Sequence, residues 1–162
     1  MAAPYRTGHR HCPVVEAALH ALDWYEAAHA TVDGLLMLQL TTPFTRYNTI
    51  CSGIRLFAAN NCQSILDVSR CAAHPIWCVR KDGSHLIPFL AEHGLKMRLQ
   101  DLPPAYVVNE CFILSAPAVI RASRALSGTK VLPLITEPPK ETIDIDTPWD
   151  WQISQRAWNR EY

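Results

Sequence analysis

Leu35-Leu36-Met37-Leu38-Gln39-Leu40 is the stretch on which the fold turns. It is a short continuous apolar run after Gly34, and a run of that length reads as a strand buried on both faces, as in a parallel sheet. Pro43 breaks it, after an exit that delivers Gln39, Thr41 and Thr42. In open α/β sheets ligands bind beyond the carboxyl ends of strands, so this polar exit is expected to form a site wall.

Working outward, the periodicity places helices around that strand. Upstream, Pro13 opens a helix whose stripe is Val15, Leu19, Leu22 and Tyr25. Downstream, Thr45 or Asn48 caps a second helix with the face Ile50, Ile54 and Phe57, ending near Asn60-Asn61. Cys62 to Ser69 is the next strand. Residues 70–105 read as a hairpin-like excursion, with short extended pieces around the Lys81-Asp82-Gly83 turn and then Pro103-Pro104. Tyr106 to Ser115 is a strand interrupted by the polar pair Asn109-Glu110, which predicts a bulge. Ser115 is expected to cap a helix that carries Val119, Ile120 and Leu126 and stops at Gly128, before a strand over Val131 to Ile135. Thr147-Pro148-Trp149-Asp150 reads as a capping box opening the last helix, which carries Trp151, Ile153, Ala157 and Trp158. Strands alternating with helices predict an α/β fold with a mostly parallel sheet in a single domain of 162 residues: a core from 13–69 and 106–162, and an insertion at 70–105.

Composition excludes more than it selects. Fifteen basic and fifteen acidic residues cancel, so no charge argument points to nucleic acid or to an anionic membrane surface. No apolar run reaches the roughly 20 residues of a membrane span, and no basic-then-apolar leader is legible, so a cytoplasmic location is expected. Six cysteines without a CxxC pair read as reduced thiols. His9-Arg10-His11-Cys12 supplies too few donors for a tetrahedral site and reads as incidental.

Glu141-Thr142-Ile143-Asp144-Ile145-Asp146-Thr147 is the chemically suggestive segment. In an extended segment Asp144 and Asp146 point the same way, with Ile143 and Ile145 on the other face. Mg²⁺ takes one or two carboxylates plus substrate phosphate oxygens, which makes the pair a candidate metal perch; an acidic strand end in solvent is the alternative.

Four motifs follow one another in order: Leu38-Gln39-Leu40-Thr41-Thr42-Pro43, His74-Pro75, Gln100-Asp101-Leu102-Pro103 with Tyr106 and Asn109, and Ile143-Asp144-Ile145-Asp146-Thr147. Together they resemble the acylneuraminate cytidylyltransferases, the CMP–sialic acid synthetase family, over nearly the whole chain. The resemblance implies a Rossmann-like three-layer nucleotide-diphospho-sugar transferase fold with a β-rich dimerisation excursion. It implies a reaction in which the anomeric hydroxyl of a nine-carbon keto-acid sugar attacks the α-phosphate of CTP and expels pyrophosphate. By matching position, Asp144 and Asp146 would hold Mg²⁺, and Gln39 with Thr41, Thr42 and Pro43 would line the sugar pocket. Residues Gln100 and Asn109 would approach the partner's active site from the arm. The alternatives are that Gln39 merely caps a strand end and Asn109 merely satisfies a bulge.

Departures accompany the matches. Leu40 stands where the family has proline, and Glu110 where it has glycine. The family's arginine slots hold Thr45 and Leu99, with Arg46 one place later and Arg98 one place earlier. Those two arginines remain the candidates for a bidentate clamp on the substrate carboxylate, where irregular backbone can offset a one-residue shift. The family's glycine-rich basic loop, which cradles the triphosphate through backbone N–H groups, has no counterpart among the six isolated glycines, so an N-terminally truncated fold is expected. No catalytic residue is assigned. Two functions follow: a divergent or shortened cytidylyltransferase using CTP, a sugar acid and Mg²⁺, or a catalytically inactive sugar-acid-binding or assembly module. Truncation would leave the Leu35–Leu40 strand with an unpaired edge, which predicts a homodimer or higher oligomer.

Overall fold

The computed structural model describes residues 13–60, 63–91, 93–137 and 139–159. The His9–Cys12 tract lies outside them. Helix α1 (Val14–Ala28) starts directly after Pro13 and buries Leu19 and Leu22. Tyr25 is 44% exposed and packs against the His29 ring at 4.7 Å instead of joining the stripe. β1 (Leu35–Leu38) is shorter than the apolar run. The chain turns at Gln39, where both the N–H and the hydroxyl of Thr42 donate to the Gln39 carbonyl, and Leu40 is left 98% exposed. The expectation of a strand buried on both faces through Leu40 is thus corrected: β1 is half-buried and ends where its ladder ends.

The remaining elements are α2 (Tyr47–Asn60), β2 (Ser64–Arg70), β3 (Val79–Asp82), β4 (His85–Pro88), β5 (Tyr106–Ser115), α3 (Pro117–Ser123), β6 (Val131–Ile135) and α4 (Pro148–Trp158). The main sheet has the order β1-β5-β2-β6, and β3-β4 form a separate hairpin. β5 runs antiparallel to both β1 and β2, whereas β2 and β6 are parallel. The sheet is therefore mixed, not mostly parallel. After β2 the chain makes its excursion through the hairpin and re-enters the sheet in the reverse direction as β5. Strands β1, β2 and β6 consequently share one carboxyl edge.

Helices cover both faces. Successive residues of a strand point to opposite faces, and β1 shows it: Leu36 packs with the Ile65–Phe112–Leu114–Leu134 core, Leu35 with the Leu19–Leu22–Ile120 cluster. The first core is capped by Ile50, Leu56 and Phe57 of α2, while Ile54, expected in that face, is exposed. Gly53 lets α2 lie on the Phe112 ring; a Cβ there would sit 2.3 Å from Cζ. The second cluster joins α1 to α3.

The predicted bulge is present. β2–β5 register shifts between Leu66 and Val68, and Glu110 adopts φ 60°, in the left-handed region that L residues rarely occupy. The Asp67 carboxylate, fully buried on β2, accepts from the Phe112 N–H (3.0 Å) and the Cys111 thiol (2.6 Å), binding the strands together where the register breaks.

Two boundaries differ from expectation. Ser115 does not cap α3; its hydroxyl lies 2.8 Å from Ser64 Oγ and 2.5 Å from the Leu126 carbonyl, and Ala116 precedes the helix. Nor does α3 reach Gly128, because Arg124 at φ 52° ends it. By contrast β6 spans the expected residues, with Pro133 on this edge strand, and Thr147 and Asp150 form the expected capping box at α4. Gly83 at φ 56° makes the hairpin turn.

Candidate functional site

A row of polar side chains crosses the carboxyl edge of the sheet. Where β1 ends, Gln39 Nε2 donates to Glu110 Oε2 (3.3 Å). One residue along β5, Asn109 Oδ1 accepts from Ser69 Oγ (2.7 Å) on β2. Thr136, just past β6, is held by its N–H to the Val68 carbonyl (2.8 Å). Chain direction explains the row: three strands end here, and β5 begins here with a bulge that opens its ladder.

The acidic loop is tied to the same edge. Glu141, 2% exposed, accepts from the Arg46 N–H (3.2 Å) and the Thr49 hydroxyl (2.6 Å) at the start of α2, and its other oxygen lies 3.4 Å from Arg46 Nε. Ile145 N–H donates to the Thr41 carbonyl (2.9 Å). Asp144 is therefore held beside the Thr41-Thr42 turn. Residues 143–146 form no strand, and the pair is unequally placed: Asp144 is half-buried, Asp146 exposed. Asp144 Oδ1 is buried without a hydrogen-bond partner, as are Asn109 Nδ2 and Thr136 Oγ1. Buried polar atoms are normally satisfied, so these three, unlike Ser154 Oγ on α4, are bonding groups left open along the carboxyl edge.

For Mg²⁺ the donor set fits in a restricted sense. Among the described residues no cluster of three metal-ligating side chains exists. An unsatisfied Asp144 oxygen with Asp146 two residues on suits an ion that takes only one or two carboxylates from protein.

The predicted residues fall into two groups. Gln39, Thr41, Thr42 and Asn109 lie along the carboxyl edge, Arg46 is tied to the acidic loop through Glu141, Asp144 is held beside Thr41 through Ile145, and Asp146 is exposed two residues on. Arg98 and Gln100 lie in the 70–105 excursion, where Arg98 Nε pairs with Asp101 Oδ2 (2.9 Å). Gln100 lines a cleft of about 320 Å³ with Arg70, Cys71 and His74. His74 is structural: its Nδ1 accepts from the Ile76 N–H (3.2 Å), and Nε2 lies 3.2 Å from the Pro103 carbonyl, fixing Nε2 as the protonated nitrogen.

Sequence reading missed Asp67, Arg70, Thr136 and Glu141 as site-forming residues. Two carried a signal: Asp67 as a lone carboxylate inside the apolar run of β2, and Glu141 as the first residue of the acidic segment. Beside it, burial and then the Asp67 hydrogen bond push the Cys111 thiol up to about 12, so it is a proton donor and not a nucleophile at neutral pH.

Among the described residues no helix is long and apolar enough to cross a membrane. No family model matches the chain. Over 145 residues it is 25% identical to CMP-N,N'-diacetyllegionaminic acid synthase of Legionella pneumophila subsp. pneumophila, strain Philadelphia 1, a match covering 88% of this chain and 61% of that protein. The chain thus spans less than two thirds of the length of this curated relative. The similarity supports the resemblance to the CMP–sialic acid synthetases that the ordered motifs carry.

Proposed function

We propose that the chain is a cytidylyltransferase-like protein that works on CTP and a sialic-acid-like sugar, on a Rossmann-like three-layer frame. The observation that carries this reading is the unsatisfied Asp144 oxygen on a loop fixed beside the Thr41-Thr42 turn. Bound there, Mg²⁺ would offset negative charge on the phosphates during transfer. The chain's own contribution is positional. Glu141 anchors the acidic loop to α2, and the turn at Gln39 presents Thr41 and Thr42 at the same edge. Nucleotidyl transfer asks a protein chiefly for such positioning and for charge stabilisation.

The test is CMP-sugar formation from CTP and a panel of nonulosonic acids with Mg²⁺, comparing wild type with Asp144→Asn. Product from wild type and a loss of at least about a hundredfold in the variant is the expected result. Absence of product in both ends the enzymatic reading.

A second reading, a catalytically inactive sugar-acid-binding module, is favoured by how the described glycines are used. Gly34, Gly53, Gly94 and Gly128 each lie against a side chain that a Cβ would crowd, and Gly83 turns the hairpin, so none of these five is free to cradle phosphate. Calorimetry separates the two: micromolar CTP affinity supports transfer, and sugar-acid binding without CTP binding supports the module.

The 70–105 segment is proposed as a dimerisation arm. Leu86, Phe89 and Leu90 on it are each more than 60% exposed. Light scattering at micromolar concentration should report a dimer, and a stable monomer would refute the arm.

A further inference from the structure

We propose that the outer face of α1 is a docking surface for a second copy of this chain, with the two helices antiparallel about a two-fold axis at Ala21. The pairing rests neither on the transfer reading nor on the arm.

The first argument is charge. An α-helix turns about 100° per residue, so Val14, Ala17, Ala18, Trp24, Tyr25 and Ala28 all lie within about 60° of Ala21. Ala18 is half-buried and the others are exposed, Trp24 by 63%. None is charged, although a helix face that meets only water is normally polar. The three acids of α1 are engaged elsewhere: Glu16 with Arg124, and Asp23 and Glu26 with Arg121, at the boundary with α3. Leu19 and Leu22 are committed to Ile120 on that inner side. At a two-fold axis a residue faces its own copy, so a face without charge meets itself without like-charge repulsion.

Shape is the second argument, and it fixes the direction. Trp24 and Tyr25 stand about one turn beyond Ala21, and Ala17 and Ala18 about one turn before it. An antiparallel mate therefore sets the two rings of one copy over the partner's Ala17 and the partner's Ala18, with Val14 near the partner's Ala28. Each bulky side chain meets a small one, which lets two helices approach closely. A parallel mate would set rings against rings and leave the alanines facing across a gap.

Area sets the strength. Trp24, Tyr25 and Val14 are 63%, 44% and 57% exposed. With the alanines between them, a pair of such faces buries about 1,000 Å² in total, the lower bound for a specific contact. A contact of that size is transient. It should join arm dimers, or monomers if the arm fails, only above micromolar concentration.

The experiment combines disulfide trapping with sedimentation over a concentration series, on the whole chain. Ala21→Cys, oxidised with diamide, should give a disulfide-linked dimer, because helices about 8–10 Å apart bring two residues at the axis within disulfide reach. Ala17→Cys should not, since its two copies lie about 12 Å apart along the helices. Wild type under the same oxidant measures any link through native thiols, among them the exposed Cys78. Ala21→Glu and Ala21→Lys should each weaken the association by at least about tenfold, and an equimolar mixture of the two should restore it. Both place a good helix former at an exposed position, so thermal unfolding of dilute samples should match wild type. Trapping of Ala17→Cys as readily as Ala21→Cys, undiminished association of either charged variant, or a mixture that associates no better than its components would each overturn the pairing. A wild type whose mass does not rise with concentration would overturn it too, and would leave the face to a different occupant.

Discussion

Within β5, Cys111 to Ser115 are all buried, whereas Tyr106, Val107 and Val108 are all exposed, although both segments are rich in strand-forming apolar residues. The division falls at the bulge. On the carboxyl side, β5 has β1 and β2 as neighbours and helices over both faces; on the amino side β1 has ended at Leu38, opposite Phe112, and only β2 remains. Burial is thus decided by what neighbouring elements reach, not by the hydrophobicity of the residue. One half of the strand holds the fold and the other half builds the rim of the candidate site, with the polar row at their junction.

Substitutions can break or sharpen that contrast. The largest effect belongs to the buried half: Phe112→Ala should lower unfolding free energy by about 3–5 kcal/mol, whereas Val107→Ala should stay within about 0.5 kcal/mol, both from urea midpoints. Equal losses would erase the distinction.

Next comes pH. The Cys111 thiol has a folded pKa raised from 9.0 to about 12, so the folded state holds that proton more tightly than the unfolded chain. Its contribution is complete below pH about 9 and is lost as pH rises toward about 12, at a scale of about 3 kcal/mol by pH 11. Stability curves of wild type and Cys111→Ala should therefore converge over that window. Parallel curves would show that the buried half does not grip the thiol.

Glu141→Ala tests the junction. Removing this buried acceptor strands the Thr49 hydroxyl and the Arg46 N–H and should cost about 1–3 kcal/mol. Hydrogen exchange should quicken at Ile145, whose N–H ties the acidic loop to Thr41. Unchanged exchange would mean that Ile145 alone holds the loop.

The smallest effect is a gain. Glu110 occupies a left-handed conformation that costs a non-glycine residue about 1 kcal/mol or more, so Glu110→Gly should stabilise by about 1 kcal/mol. The same change frees Gln39 from its side-chain bond to Glu110 and, on the proposed sugar-acid site, should tighten binding of that ligand. A loss of stability would assign the strain a structural role.

Much of the fold was legible in the sequence because its signals are local. The α4 capping box, the Asn109-Glu110 bulge and the hairpin at Gly83 each arise from residues within a few positions of one another. Strand direction was not legible, since the reversal of β5 depends on the path of the 70–105 excursion. Site membership divided the same way. Asp144 and Thr41 stand in ordered motifs and could be named as candidates, but the pairing of Arg46 with Glu141 spans 95 residues and could not.

Pro133 has a consequence for how copies of this chain would meet. It sits on β6, one margin of the sheet, where it withholds an N–H from any incoming strand, and the opposite margin, β1, offers only four residues to pair with. Neither border is a good template for runaway strand addition. The arm dimer proposed above would thus be turned away from open-ended fibres and toward the side-chain surfaces of the hairpin, where contact can close on itself and stop.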